Sequence, residues 1–463
     1  MINIQQLRHP NLSIPAWHVS EGEAWCLMGR NGSGKQWVTA LLAGELTGYC
    51  ADTADLPTTA SVGVISFERQ QQIFEHELAI DESDLTDDVD YGTPVRDFFP
   101  ADQLDHPLID QLHMRHKLDN GYRQLSTGES RKVLIIQSVL NGARVLLCEN
   151  PFDSLDIDSC AILSKALGQI AQHISVVLLL NNVQDIPDWC QQIAVVEGSE
   201  LSVLGKWHSA PVEEALNALF DTRPLVSDDW PEPPFPLAHF ELASLAELRQ
   251  LNVRFGDNVV FDNYNVRIEP LQHTLITGSN GSGKSTLMQL ITGDCPLCYS
   301  NDVTVFGMRR GSGESIWDIK RHIGIVSAEL HRNYRVRCDV LSVVCSGFFD
   351  SIGVYEQPDK VQINHALHWL RMVGMESLAR QAFQKCSYGE QRLALIARAL
   401  VKSPLMLILD EPTQGLDSLN RWRVLRFIER IASFQHSTIV LVSHRLDERL
   451  ALFTQHIDLD KKG

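Results

Sequence analysis

Gly278-Ser279-Asn280-Gly281-Ser282-Gly283-Lys284-Ser285-Thr286 decides how this chain is read. Glycines spaced this way let backbone N–H groups curl around an anion, and the helix that follows adds its positive end. The apolar residues ahead of it, Thr274 to Thr277, read as a strand, and Lys284 to Thr292 reads as a helix. That setting makes the stretch a phosphate-binding loop. Lys284 is placed for the β and γ oxygens of a nucleotide, and Ser285 for a Mg2+ ion.

The loop has a double. Gly29-Arg30-Asn31-Gly32-Ser33-Gly34-Lys35, followed by Gln36, stands 249 residues earlier, behind the strand-like run Trp25 to Met28. Two further pairs match at an offset of 261. Val62-Gly63-Val64-Ile65-Ser66 matches Ile323-Gly324-Ile325-Val326-Ser327, and Leu125-Ser126-Thr127-Gly128-Glu129 matches Cys386-Ser387-Tyr388-Gly389-Glu390. Twelve extra residues therefore follow the second loop, near the polar stretch Gly307 to Ser315. A period this long predicts a duplicated domain, because solenoid units run to about 20–50 residues. Arg223 to Pro236 holds five prolines among acids, which suits neither helix nor central strand. The expected layout is a first domain at 1–222, a linker at 223–236 and a second domain at 237–463. In each half apolar β-rich runs alternate with helical patterns, the mark of an α/β fold with parallel sheets under helices.

Composition narrows the function. A chain of 463 residues with 44% hydrophobic side chains is neither disordered nor a small disulfide scaffold. Its apolar runs, such as Val176 to Leu180, fall short of the roughly 18 uncharged positions of a membrane span. A membrane role would have to come from another chain. The polar start, Met1 to Leu12, has no signal core, so a cytoplasmic protein with reduced thiols is expected. Cys26 and Cys148 sit inside strand-like runs as small hydrophobes, and Cys295 and Cys298 form a lone CxxC with no second pair. Residues 1–236 hold 14 basic and 34 acidic side chains, and residues 237–463 hold 26 and 24. Thirteen acids lie between Glu68 and Asp110, which argues against strong nucleic-acid binding.

More chemistry gathers in the second half. Met406 to Leu409 reads as a strand that delivers Asp410 and Glu411, and Thr438 to Val442 as another that ends in Ser443-His444. Asp410 suits a metal's water shell, and Glu411 suits orienting or deprotonating an attacking water. His444 can hydrogen-bond a γ-phosphate.

The order of phosphate loop, Ser-x-Gly-Glu, Asp-Glu-Pro, Gly-Leu-Asp and Ser-His resembles an ABC-type ATPase, twice over and across nearly the whole chain. The resemblance implies ATP and Mg2+ as ligands and two ATPase domains paired head to tail within the chain. Each nucleotide would lie between one domain's loop and the other's signature. One composite site would join Gly278 to Thr286, Asp410, Glu411 and His444 with Ser126, Gly128 and Glu129. The other would join Gly29 to Gln36 with Ser387, Gly389 and Glu390. Gly415-Leu416-Asp417 and Ser154-Leu155-Asp156 resemble the family's interface loops, and Phe255 is near its adenine-stacking aromatic.

Departures from the pattern fall on one side. Gln36 replaces the metal-binding hydroxyl, Glu149 the Asp, Asn150 the catalytic Glu and Asn181 the His, so only the second-half site is expected to hydrolyse ATP. Both signatures end in Glu where the family usually has Gln. Neither half carries the Gln that members coupled to membrane domains place after the strand matching Ile323 to Val326; the positions hold Phe67 or Glu68 and Ala328 or Glu329. Overall layout, with Ser351-Ile352-Gly353 and Gln391 to Leu395, is similar to tandem members associated with molybdate transport, which implies a separate membrane subunit and a place at the inner face of the plasma membrane. The nineteen residues after His444 leave no room for the regulatory domain of molybdate importer ATPases. The alternative expectation is a soluble ribosome-associated ATPase of the ABC-F kind.

Overall fold

The computed structural model describes residues 1–80, 90–220, 242–256, 258–327, 330–331, 334–445 and 448–461. The linker expected at 223–236 and the positions Ala328 and Glu329 lie outside them. The chain divides into two compact units, the first built on Met1–Asp221 and the second on Thr222–Leu416 with Asn420–Gly463.

In the first unit, strands β1 (Ile2–His9), β2 (Leu12–Val19), β3 (Ala24–Met28), β4 (Thr53–Asp55), β5 (Val62–Ile65), β6 (Val145–Glu149), β7 (Ser175–Leu180), β8 (Gln192–Glu197) and β9 (Glu200–Lys206) form one sheet. Its order is β4-β1-β2-β9-β8-β3-β7-β6-β5. The run β5-β6-β7-β3-β8 is parallel. These strands read as unbroken apolar runs because both faces are covered. Along β3 the side chains alternate between two cores: Cys26 and Met28 pack on one face, Trp25 and Leu27 on the other.

In the second unit, β10 (Ala246–Phe255), β11 (Asn258–Ile268), β13 (Asp302–Val305) and β14 (Met308–Arg309) form a four-stranded antiparallel sheet. β12 (Thr274–Thr277), β15 (Ile323–Val326), β16 (Met406–Asp410), β17 (Thr438–Val442) and β18 (Gln455–Asp458) form a parallel one, in the order β15-β16-β17-β12-β18. That order repeats β5-β6-β7-β3-β8 strand for strand. β16 again serves two cores, Met406 and Ile408 on one face, Leu407 and Leu409 on the other.

The twelve extra residues can now be placed. β4 and β13 still correspond at the offset of 249, each pairing antiparallel with the first strand of its unit. β5 and β15 correspond at 261. Between them the second unit adds β14, which turns back on β13, and the short helix Ile316–Lys320, where the first has one 3-10 turn, Thr59–Ser61.

Candidate functional site

Each Gly-rich loop runs from a central parallel strand into a helix, Lys35–Leu42 in the first unit and Lys284–Thr292 in the second. The residue before each helix is left-handed: Gly34 at φ 101 and Gly283 at φ 103. Side chains resist that conformation, which is why glycine precedes the lysine in both. The loops also close tightly at their start, where a Cβ on Gly29 or Gly278 would lie 2.4 Å from the Ser33 or Ser282 hydroxyl. Lys284 Nζ donates to the carbonyls of Gly278 (2.7 Å) and Ser279 (2.9 Å). Lys35 Nζ does the same to Gly29 and Arg30. Asp460 braces the second loop by accepting from the Ser279 N–H and hydroxyl, each at 2.7 Å.

The acids arrive on β16. Asp410 ends the strand, and Glu411 turns into the left-handed region at φ 47, its N–H donating to Val442 on β17 at 3.0 Å. His444 Nδ1 lies 3.1 Å from Glu411 Oε1. Burial works to raise the Glu411 carboxyl, but the hydrogen bond from His444 and the charges of His444, Lys284 and Arg392 outweigh it and hold the group below its ordinary value. Lys284, Asp410, Glu411 and His444 thus converge from three consecutive parallel strands. Ser285 is exposed in the first turn after Lys284. A hydroxyl and a carboxylate are hard oxygen donors of the kind Mg2+ takes, so Ser285 and Asp410 fit the ion.

The first unit repeats the backbone and changes the chemistry. Asn150 has φ 41, and its N–H donates to Leu179 at 2.9 Å, the same turn that Glu411 makes. Asn181 follows β7 where His444 follows β17. Glu149 Oε1 accepts from the Thr39 hydroxyl at 2.7 Å, and burial raises its carboxyl. Gln36 puts an exposed amide where Ser285 has its hydroxyl. Neither residue fits the ion as Ser285 and Asp410 do. Around these groups is a cavity of about 130 Å³, lined by Arg30, Ser33, Lys35, Gln36, Glu149 and Asn150 among others.

Both signatures are helix starts. Ser126 caps the helix Thr127–Leu140, and Ser387 caps Tyr388–Leu400. The closing Glu completes a capping box in each: Ser126 N–H donates to Glu129 and Ser387 N–H to Glu390, both at 2.8 Å. Glu129 also pairs with Lys117 at 3.1 Å. A Cβ on Gly128 would lie 2.5 Å from the end of the Leu155 side chain, and one on Gly389 2.4 Å from the side chain of Asn420. Phe255 is half-exposed at the end of β10, so it is no core residue. Cys26 and Cys148 are fully buried in their strands, and Cys295 and Cys298 are buried free thiols.

Two contributors escaped the sequence reading. Arg392, on the helix behind the second signature, is fully buried and donates to the Ser327 carbonyl at 3.2 Å; its counterpart Arg131 donates to the carbonyls of Pro151 (2.7 Å) and Asp153 (2.8 Å). Glu448 is 1% exposed and accepts hydrogen bonds from Thr413 and Ser443 while pairing with Arg421 at 3.2 Å. Only its position four residues after His444 could have drawn attention to it.

Phosphate loops at the ends of parallel strands, with acid-bearing neighbours, define nucleotide-binding proteins of the P-loop class, present here in duplicate. The family model described as "ABC transporter" matches residues 12–153 and 261–414, and the chain belongs to that family as a tandem ABC ATPase. It is 36% identical over 98% of its length to the ABC transporter ATP-binding protein ModF of Escherichia coli (strain K12), covering 94% of that protein. An uncharacterized ABC transporter ATP-binding protein of Schizosaccharomyces pombe is 25% identical over 78% of this chain and 73% of its own. Among solved structures, the archaeal ribosome recycling factor aABCE1, in complex with the ribosomal stalk protein aP1, matches with a TM-score of 0.58. It covers 99% of this chain and 87% of its own, and at 16% identity the likeness is one of fold. Among the described residues no helix is long and apolar enough to cross a membrane.

Proposed function

We propose that the second unit is the hydrolytic one and that the chain serves a transport system of the molybdate type. The observation that carries the first part is the Glu411–His444 pair at 3.1 Å, with Asn150 and Asn181 in the equivalent places. Glu411, held ionised, accepts a proton from the attacking water and orients it. Lys284 and the loop N–H groups of Gly278 to Thr286 hold the phosphates, and His444 steadies Glu411 and reaches the outermost one. Mg2+, when bound by Ser285 and through water by Asp410, neutralises phosphate charge. Following the family's pairing, Ser126, Gly128 and Glu129 complete this site, and Ser387, Gly389 and Glu390 complete the one at Gly29 to Gln36. The working layout is 1–222 and 237–463 joined by 223–236.

The transport reading is supported by full-length similarity to an ABC transporter ATP-binding protein. It places the chain in the cytoplasm, at the inner face of the membrane when engaged with a separate membrane subunit. Phe67 and Glu68, either of which stands where coupled members have Gln, open the helix Phe67–Ala79, so any coupling uses other contacts.

Glu411→Gln should lower steady-state ATP turnover at least about 100-fold while nucleotide binding survives, the loss expected for a general base. Turnover within about threefold of the parent would refute the assignment. The same variant with ATP should co-purify with a membrane subunit from detergent extracts of the native cells. Recovery with ribosomes instead would overturn the transport reading.

A further inference from the structure

We propose that the first loop, Gly29 to Gln36, holds the phosphates of a nucleotide without a metal ion, with the Arg30 cation added to that of Lys35. The inference rests on reading that loop as a nucleotide site and asks what form of ligand it takes.

The cavity beside the loop is a built site. Lys35 is 8% exposed and Ser33 is 7% exposed, and both line it. The Ser33 hydroxyl is buried without a hydrogen-bond partner, an unspent group at a loop whose N–H groups open the helix Lys35–Leu42. Such an arrangement calls for an anion.

The groups that would hold Mg2+ are committed elsewhere or of the wrong kind. Gln36 is an exposed amide in place of a short hydroxyl. The extra methylene of Glu149 carries its carboxylate to the Thr39 hydroxyl at 2.7 Å. Thr39 corresponds at the offset of 249 to Met288, which has no hydroxyl, so this tie belongs to the first unit alone. The tie holds the longer side chain at the helix, a restraint that Met288 cannot place on Asp410.

Charge balance has a partial replacement. Where the second loop has Ser279, the first has Arg30, which also lines the cavity and whose Nε donates to the Leu219 carbonyl at 2.5 Å. That bond fixes the side chain and leaves the terminal NH2 groups of the guanidinium for phosphate oxygens. Lys35 matches Lys284 and is common to both loops, so Arg30 is the added cation, supplying one positive charge where Mg2+ would have supplied two.

Full-length Lys284→Ala, which disables the second loop, should bind radiolabelled ATP in equilibrium dialysis with affinities within about threefold in Mg2+ and in EDTA. Adding Lys35→Ala, or independently Arg30→Gln, should weaken the EDTA-resistant binding about tenfold or more, the scale of a charge-assisted hydrogen bond. Gln36→Ser with Glu149→Asp should make Mg2+ raise affinity by a similar factor. Thermal melts confirm that each variant folds. A tenfold or greater loss in EDTA, no binding in either buffer, or binding indifferent to Lys35→Ala and Arg30→Gln would each overturn the proposal. The Glu411→Gln turnover measurement reports on the second unit by itself, so the two readings fail separately.

Discussion

One backbone turn carries two side chains with different fates. Glu411 and Asn150 share the left-handed conformation, which costs asparagine less than glutamate. The strained residue stands in the second unit, where its carboxylate meets His444 and has the proposed task, and asparagine eases the turn in the first. Glu448 acts on this turn indirectly. Its carboxylate ties Ser443, the neighbour of His444, to Thr413, two residues past Glu411, and to Arg421 on the helix Ser418–Ser433. Glu448→Gln should lower kcat about tenfold with little change in KM for ATP, because a positioning residue touches no substrate. Glu448→Ala should also cost about 3 kcal/mol of stability, read from denaturant midpoints, because it removes one partner of a buried ion pair. A loss confined to KM would show that Glu448 contacts nucleotide.

At the scale of an element, the signature helices explain their own departure from the family. An acid in the third helical position caps the backbone N–H of Ser126 or Ser387 and lies favourably in the helix's positive first turn, so Glu serves as well as Gln. The second helix carries a titration of its own. His331 stacks on Tyr388 with ring centroids 4.3 Å apart and hydrogen-bonds Gln391 at 2.8 Å. Burial, then the charge of Arg392, lowers it to about 4. The unfolded imidazole therefore takes up a proton first as pH falls. Stability is complete above about pH 6.5 and lost progressively down to about pH 4, with roughly 2 kcal/mol gone at pH 5. Denaturant melts at pH 7 and pH 5 should show that difference. His331→Phe, which keeps the stack and cannot titrate, should shrink it; an unchanged difference would assign the acid sensitivity elsewhere.

Over the whole molecule, one fold is used twice, and only the second copy carries both Glu411 and His444, the residues proposed for hydrolysis. If the units pair as the family does, the first remains necessary through its signature. Ser126→Arg should then abolish hydrolysis at Lys284 and Glu411, and Ser387→Arg should spare most of it. ATPase rates of the two variants, with melts to verify folding, decide the matter. The reverse pattern would refute head-to-tail pairing.

The residues alone determined the duplication, the parallel sheets and the line of candidate site groups. Glycines, a lysine and strand-terminal acids are bound to short local spacings, and a strand covered on both faces has to be an apolar run. Placing the twelve-residue insertion near Gly307 to Ser315 followed from the same spacing. Tertiary structure alone could decide what depends on residues far apart in the chain. Thr39 meets Glu149 across 110 positions, and that meeting turns an acid one methylene too long into a satisfied one. Glu448 matters only because folding brings Thr413, Ser443 and Arg421 to it. No local pattern marks such partners, because hydrogen bonding in a buried site is set by which strands are neighbours, and in a parallel sheet neighbours are rarely adjacent in sequence.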